Sequence, residues 1–126
     1  MNKATLISVV ALALACGGGG YYVLKVKPVE DAKSVVRDSL KDPSSAVFRD
    51  VTVNAKNGTA CGLVNAKNSM GGYVGMRGFL KTKAGSVEFE PSGEAIGDSA
   101  AKIAALQERL EFVERLQKEC GLKDDS

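Results

Sequence analysis

Apolar and polar positions follow three different rhythms along this chain. From Val29 onward, Val29, Ala32, Val36 and Leu40 recur at spacings of three and four, with Val35 beside them. That spacing lines one stripe of a helix. Pro28 ahead of Glu30 and Asp31 suits a first helical turn, where no amide hydrogen is needed and acids meet the positive end of the dipole. Asp42-Pro43 ends it, because the residue before a proline avoids the α region. The pattern predicts a helix over 29–41.

The rhythm then shortens to that of strands. Residues 46–53 are rich in valine, and Asn57-Gly58 is the strongest two-residue hairpin signal available. A second strand follows over 59–66, a turn at Ser69-Met70-Gly71-Gly72, a third strand over 73–81, a turn at Ala84-Gly85 and a short fourth strand over 86–90. The prediction is an antiparallel meander. A two-residue loop at Asn57-Gly58 sets Val51 opposite Val64 and Asn54 opposite Cys61. Cys61 and Leu63 then share one face, Val51 and Val53 the other. Both faces carry apolar groups, so either each is covered by a helix or the register is shifted by one. The echo of Val53-Asn54-Ala55-Lys56-Asn57 in Val64-Asn65-Ala66-Lys67-Asn68 reads as a shared strand end and turn, because two copies of five residues make no repeat architecture.

After a polar linker over 91–97, Asp98 or Ser99 caps a last helix that runs to about Glu119 and stops at Gly121. Ile103, Leu106, Leu110 and Val113 keep a narrow apolar seam, extended by Leu116 or Gln117 to Cys120 and broadened by Phe112. The expectation is that this seam packs on the sheet, since a dimeric coiled coil needs a longer heptad run. The fold class is α+β: N-terminal helix, four-stranded antiparallel meander, C-terminal helix.

The first residues read as an address. Met1-Asn2-Lys3 is positive, residues 4–15 are uncharged, and Ala15-Cys16 stands where a secretory signal is cut. Leu12-Ala13-Leu14-Ala15-Cys16 resembles a bacterial lipobox, with Ala13 where Leu is commonest. The resemblance implies a signal peptide over 1–15, an acylated Cys16 opening a flexible spacer over 16–27, and one domain over 28–122. Each buried methylene of such a lipid contributes about 0.8 kcal/mol, so two or three chains hold a small domain on a bilayer. The alternative is an uncleaved membrane-spanning helix over 4–24, long enough to cross but interrupted by Gly17, Gly18, Gly19 and Gly20. Either anchor puts the domain beside a membrane, on the envelope or periplasmic side.

Composition narrows the chemistry. With 17 Lys plus Arg against 15 Asp plus Glu, the chain lacks the basic excess of a nucleic-acid binder. The absence of His removes Ser-His-Asp and Cys-His catalysis and the zincin motif. No cofactor motif, no C-x-x-C pair and no metal-ligand spacing are present, and the expectation is a non-enzyme. With Cys16 acylated, Cys61 and Cys120 remain, and export favours a disulfide between them. Closing a loop of about 60 residues is valued at roughly 4 kcal/mol by chain entropy. The middle of the chain is slightly basic and residues 91–126 are acidic, a pattern expected of solvated surface.

Two segments carry candidate ligand-binding residues. In Gly71-Gly72-Tyr73-Val74-Gly75-Met76-Arg77-Gly78-Phe79, the glycines expose backbone, Tyr73 and Phe79 offer stacking surfaces, and Arg77 offers an anion contact. The competing expectation is a turn followed by a strand bent or bulged at Gly75 and Gly78. In the second segment, Asn65, Lys67 and Asn68 present polar groups suited to a sugar or peptide, or simply to a turn. Asp50, Glu88 and Glu90 are the only carboxylates in the sheet region, and hydrolysis would need two of them converging in a cleft.

Two stretches, Val36-Arg37-Asp38-Ser39-Leu40-Lys41-Asp42-Pro43-Ser44-Ser45-Ala46-Val47-Phe48-Arg49-Asp50-Val51 and Cys61-Gly62-Leu63-Val64-Asn65-Ala66-Lys67-Asn68-Ser69-Met70-Gly71-Gly72-Tyr73-Val74-Gly75, resemble small uncharacterised exported, lipoprotein-like proteins of Gram-negative bacteria and their phages. The resemblance implies export and a compact α/β unit and brings no activity or site residues. The functional expectation is an envelope-tethered, non-enzymatic binding module for a protein, peptide or glycan. The alternative is a structural or assembly subunit that docks through its C-terminal helix.

Overall fold

A computed structural model describes residues 20–92 and 96–121. Helix α1 (Lys27–Asp38) is followed by a 3-10 turn (Pro43–Ser45), strands β1 (Val47–Val53), β2 (Ala60–Asn65), β3 (Arg77–Lys81) and β4 (Val87–Phe89), and helix α2 (Ser99–Cys120). The strands pair antiparallel in the order β1-β2-β3-β4, as the meander pattern predicts. The third strand is shorter than expected. It begins at Arg77, and Tyr73 makes only an isolated bridge to Lys67.

Helical structure starts well before Val29. Residues 20 and 21 are already helical, and Tyr22–Val26 form a π turn leading into α1. The described part of the expected spacer, residues 20–27, is therefore helix and not a flexible link. Pro28 explains the wide turn. A proline inside a helix lacks the N–H and crowds the carbonyl four residues back, and a π turn, with Lys27 N–H bonded to Tyr22 O, opens the room.

Each sheet face carries one helix. On the first, α1 contributes Val36, fully buried against Val64 and Phe79, with Leu40, Phe48, Val51, Val87 and Phe89 around them. On the second, Phe112 of α2 packs on Cys61 and Leu80, joined by Leu116 and Cys120. Two glycines admit these close approaches. A β-carbon on Gly62 would lie 3.0 Å from Val51 and 3.1 Å from Phe79, and one on Gly78 would lie 3.4 Å from both Phe112 and Leu116.

The β1–β2 register differs from the two-residue-loop pairing. Val53 faces Ala60 and Thr52 faces Cys61, but Val64 faces Phe48 and not Val51. The loop is longer, closed by Asn54 N–H to Thr59 O (2.8 Å) and Gly58 N–H to Asn54 O (2.8 Å). Between Arg49 and Thr52 the ladder is bulged, so Asp50 and Val51 stand opposite Gly62 alone. Asp50 has φ 53°, a conformation in which aspartate is tolerated better than most residues. The bulge expected at Gly75 and Gly78 therefore lies on β1, while Gly78 keeps regular pairing with Leu63.

Candidate functional site

The end of β2 and the loop after it collect four of the six candidate ligand residues, and most of their polar groups are engaged internally. Asn65 Oδ1 accepts from Gly75 N–H (3.0 Å), and Asn68 Oδ1 accepts from Met70 (3.0 Å) and Gly72 (3.2 Å). Tyr73 donates its hydroxyl to Ser45 O (3.2 Å), Lys67 N–H bonds Ser45 Oγ (2.9 Å), and the Lys67 ammonium sits 5.6 Å from the Tyr73 ring centre. Short polar side chains here replace backbone partners that a turn lacks. Asn54 and Asn57 do the same in the echoed segment, bonding Lys56 and Thr59 N–H. The outward surface of the loop is mixed, with Met70, Tyr73 and Val74 exposed beside Asn68 and Ser69.

Phe79 and Arg77 do not join that loop. Phe79 is completely buried, edge-on to Phe48 with ring centres 6.0 Å apart, so the stacking surface expected of it does not exist. Alternation along β3 turns Phe79 toward α1. Arg77 folds over Phe89 (5.3 Å) and donates to Glu90 O (3.1 Å), which takes up the role expected in anion binding.

The carboxylates of the sheet serve α2. Glu90 Oε2 accepts from Gly78 N–H (3.0 Å), its Oε1 accepts from Arg109 Nε (2.6 Å), and Glu88 pairs with Arg115. The sheet supplies the acids and the acidic tail supplies the bases, the reverse of the overall charge distribution. Asp50 and Glu90 do line one cleft, of about 210 Å³, with Thr52, Leu63 and Leu116. Glu90 is unsuited to proton donation there, because the Gly78 N–H and then Arg109 hold its carboxyl below the ordinary value against the opposing pull of burial. A general acid requires the opposite displacement.

That geometry predicts a pH dependence. Because the folded Glu90 is more acidic than the unfolded one near 4.5, its stabilisation is full above that value and is lost as pH falls below it through the lower folded value. Thermal melts between about pH 6 and 3 should show the wild-type midpoint dropping more steeply than that of Glu90→Gln, and parallel curves would refute the coupling.

Helix α2 is held in place at several points. The Asp98 carboxylate caps its start by accepting from Ala101 N–H (3.0 Å). At its end, Cys120 is disulfide-bonded to Cys61, with Cα atoms 6.2 Å apart, as the cysteine count predicts. Asn54 Nδ2 (2.7 Å) and Asn57 Nδ2 (2.8 Å) both donate to Glu119 O, satisfying a carbonyl that the helix itself leaves unpaired. The sequence marks these asparagines only as turn residues; their second role depends on where α2 ends.

The seam expected against the sheet is on the outside. Ile103 is 56% exposed, Leu106 53%, Leu110 62% and Val113 36%, while Phe112, Leu116 and Cys120 take the buried face. The two stripes lie on adjacent sides of one helix, and the larger aromatic ring together with the disulfide selects which meets the sheet. Ion pairs through Arg109 and Arg115 keep the helix from rolling over. The result is a helix fixed to the sheet through its C-terminal half and presenting an uncovered apolar stripe.

Among the described residues, no group of His, Cys, Asp and Glu could hold a metal ion, and no helix is long and apolar enough to cross a membrane. Cys16, the signal segment over 1–15 and most of the alternative span over 4–24 lie outside the described residues. No family model, curated protein or solved structure matches this chain.

Proposed function

We propose that this chain is an exported, membrane-tethered docking module without catalytic activity, anchored at Cys16 and engaging a partner protein through the outer face of α2. The observation that carries the docking role is the exposed Ile103, Leu106, Leu110 and Val113 stripe on a helix whose C-terminal half is fixed to the sheet. These residues follow a three-four-three spacing, the arrangement by which an apolar helix stripe meets a second helix or a groove. Leu110 and Val113 lie within the part of α2 held by the Arg109 and Arg115 ion pairs, so that part of the stripe loses little entropy on association. Peptide or glycan binding by the loop over 66–76 has less support, because the side-chain oxygens of Asn65 and Asn68 are engaged in shaping it. The anchor rests on the lipobox-like Leu12-Ala13-Leu14-Ala15-Cys16 and the signal-like residues before it.

The test is co-purification of the full chain from membranes, comparing wild type with a Leu106→Asp/Leu110→Asp variant. Central apolar anchors of an interface are worth about 2 kcal/mol or more, so partner affinity should fall roughly 30-fold. The melting temperature should be nearly unchanged, since both side chains already face solvent. Undiminished capture by the double variant refutes this docking face. Mass analysis tests the anchor: a diacylated species beginning at Cys16 is expected, and an intact, unmodified Met1 start refutes it.

A further inference from the structure

We propose that the helical turn Tyr21-Tyr22-Val23-Leu24 is embedded at the headgroup–acyl boundary of a phospholipid bilayer, with Lys25 and Lys27 on the lipid phosphates. The inference rests on the membrane tether proposed above and specifies how the domain meets the lipid.

Exposure is the first ground. Tyr21 is 66% exposed, Tyr22 54%, Val23 59% and Leu24 75%. Consecutive helical residues point around the full circumference, so a turn in which all four are exposed is largely uncovered; only Leu24 borders the sheet, at a shallow cleft with Val51, Thr52, Val53 and Ala55. A helical segment that is apolar all round belongs inside protein or lipid. Protein is the weaker occupant: four residues fall well short of the roughly 800 Å² per partner that a stable protein interface buries.

Connectivity is the second ground. Only Cys16 and four glycines separate the uncharged run over 4–15 from Tyr21. Those five residues reach at most about 17 Å when fully extended, so a tether at Cys16 keeps this turn at the bilayer surface.

The order of side chains is the third. Tyrosines favour the membrane interface, where the ring is buried and the hydroxyl stays hydrated. Lysines extend an apolar stem out of lipid and carry their charge to anionic headgroups. Lys25 and Lys27 are exposed, as this contact requires. Because this turn runs directly into α1, its insertion fixes the orientation of the sheet over the membrane, where a loose glycine spacer would leave the domain free to tumble.

The chain has no tryptophan, so a single introduced one reports its own surroundings. Full-length Leu24→Trp protein, purified from membranes, is reconstituted into phosphatidylethanolamine–phosphatidylglycerol vesicles with and without brominated acyl chains. Exposed Gln107→Trp on α2 serves as the comparison. Co-flotation with vesicles, blue-shifted emission and strong bromine quenching are expected at position 24 only. Adding Lys25→Ala and Lys27→Ala should reduce that quenching and remove its dependence on phosphatidylglycerol. A protein that floats while Trp at position 24 keeps water-like, unquenched emission overturns the insertion and leaves the tether standing. Blue-shifted emission without bromine quenching also overturns it, because the cover is then protein. Failure to float at all overturns the tether itself.

Discussion

Replacing both Cys61 and Cys120 by alanine should lower the stability of this domain by about 4 kcal/mol. The bond spans 59 residues and joins the centre of the sheet to the last turn of α2. Without it, the unfolded chain regains the conformational freedom that the closed loop denies. The native state loosens as well: the Glu119 carbonyl is drawn away from Asn54 and Asn57, and Leu116 and Phe112 are held to Leu80 by apolar contact alone. For a domain of roughly 100 residues, 4 kcal/mol corresponds to a melting temperature lower by about 15–30 °C. Thermal unfolding with and without a thiol reductant measures it. Wild-type protein should drop on reduction, and the double variant should melt at the reduced value whether or not reductant is present. A wild-type midpoint insensitive to complete reduction contradicts the stabilising role.

Phe79→Ala should destabilise by about 3–5 kcal/mol, and Phe79→Leu by roughly 1.5 kcal/mol or less. Phe79 is fully buried between Val36 of α1 and Val64 of β2, with Phe48 edge-on to it. Alanine leaves a cavity that Gly62, directly across the ladder, cannot help to fill because it has no side chain. Leucine restores most of the volume. Small domains are stable by only about 5–15 kcal/mol, so the alanine variant should be partly unfolded at growth temperature. Denaturant titration of both variants separates a packing role from the stacking surface that the Gly-rich sequence around Phe79 suggests. A ligand platform would tolerate alanine in the absence of ligand, and a core residue would not. Near-equal midpoints for Phe79→Ala and wild type would refute the core assignment.

Local chemistry alone determined much of this protein. The stripe Val29, Ala32 and Val36, the order of strands and turns, the Asp98 cap and the Gly121 stop are all short-range signals that the structure bears out, although α1 ends at Asp38, three residues before the expected end, and leaves Leu40 in the turn after it. The pairing of Cys61 with Cys120 was legible by elimination. The echoed asparagines were legible as turn formers for the same reason, since an Asn side chain bonds backbone two residues away whatever surrounds it.

What only the tertiary structure decided depends on residues far apart in the chain. Register across β1 and β2 is a property of two strands: the longer loop shifted the pairing by two residues and the bulge at Asp50 and Val51 by one more, which moved Val64 from Val51 to Phe48 without any local mark in the sequence. Helix α2 carries two apolar stripes of similar spacing. The choice of Phe112, Leu116 and Cys120 for the interior follows from the disulfide, the two glycine-lined faces and the ion pairs of Glu88 and Glu90, none of which is a feature of the helix itself. Burial is a collective quantity: periodicity places residues on a common face, and only the packed neighbours determine which face is covered. That is why the stripe of Ile103, Leu106, Leu110 and Val113, expected in the core, lies open to solvent as the docking face proposed here.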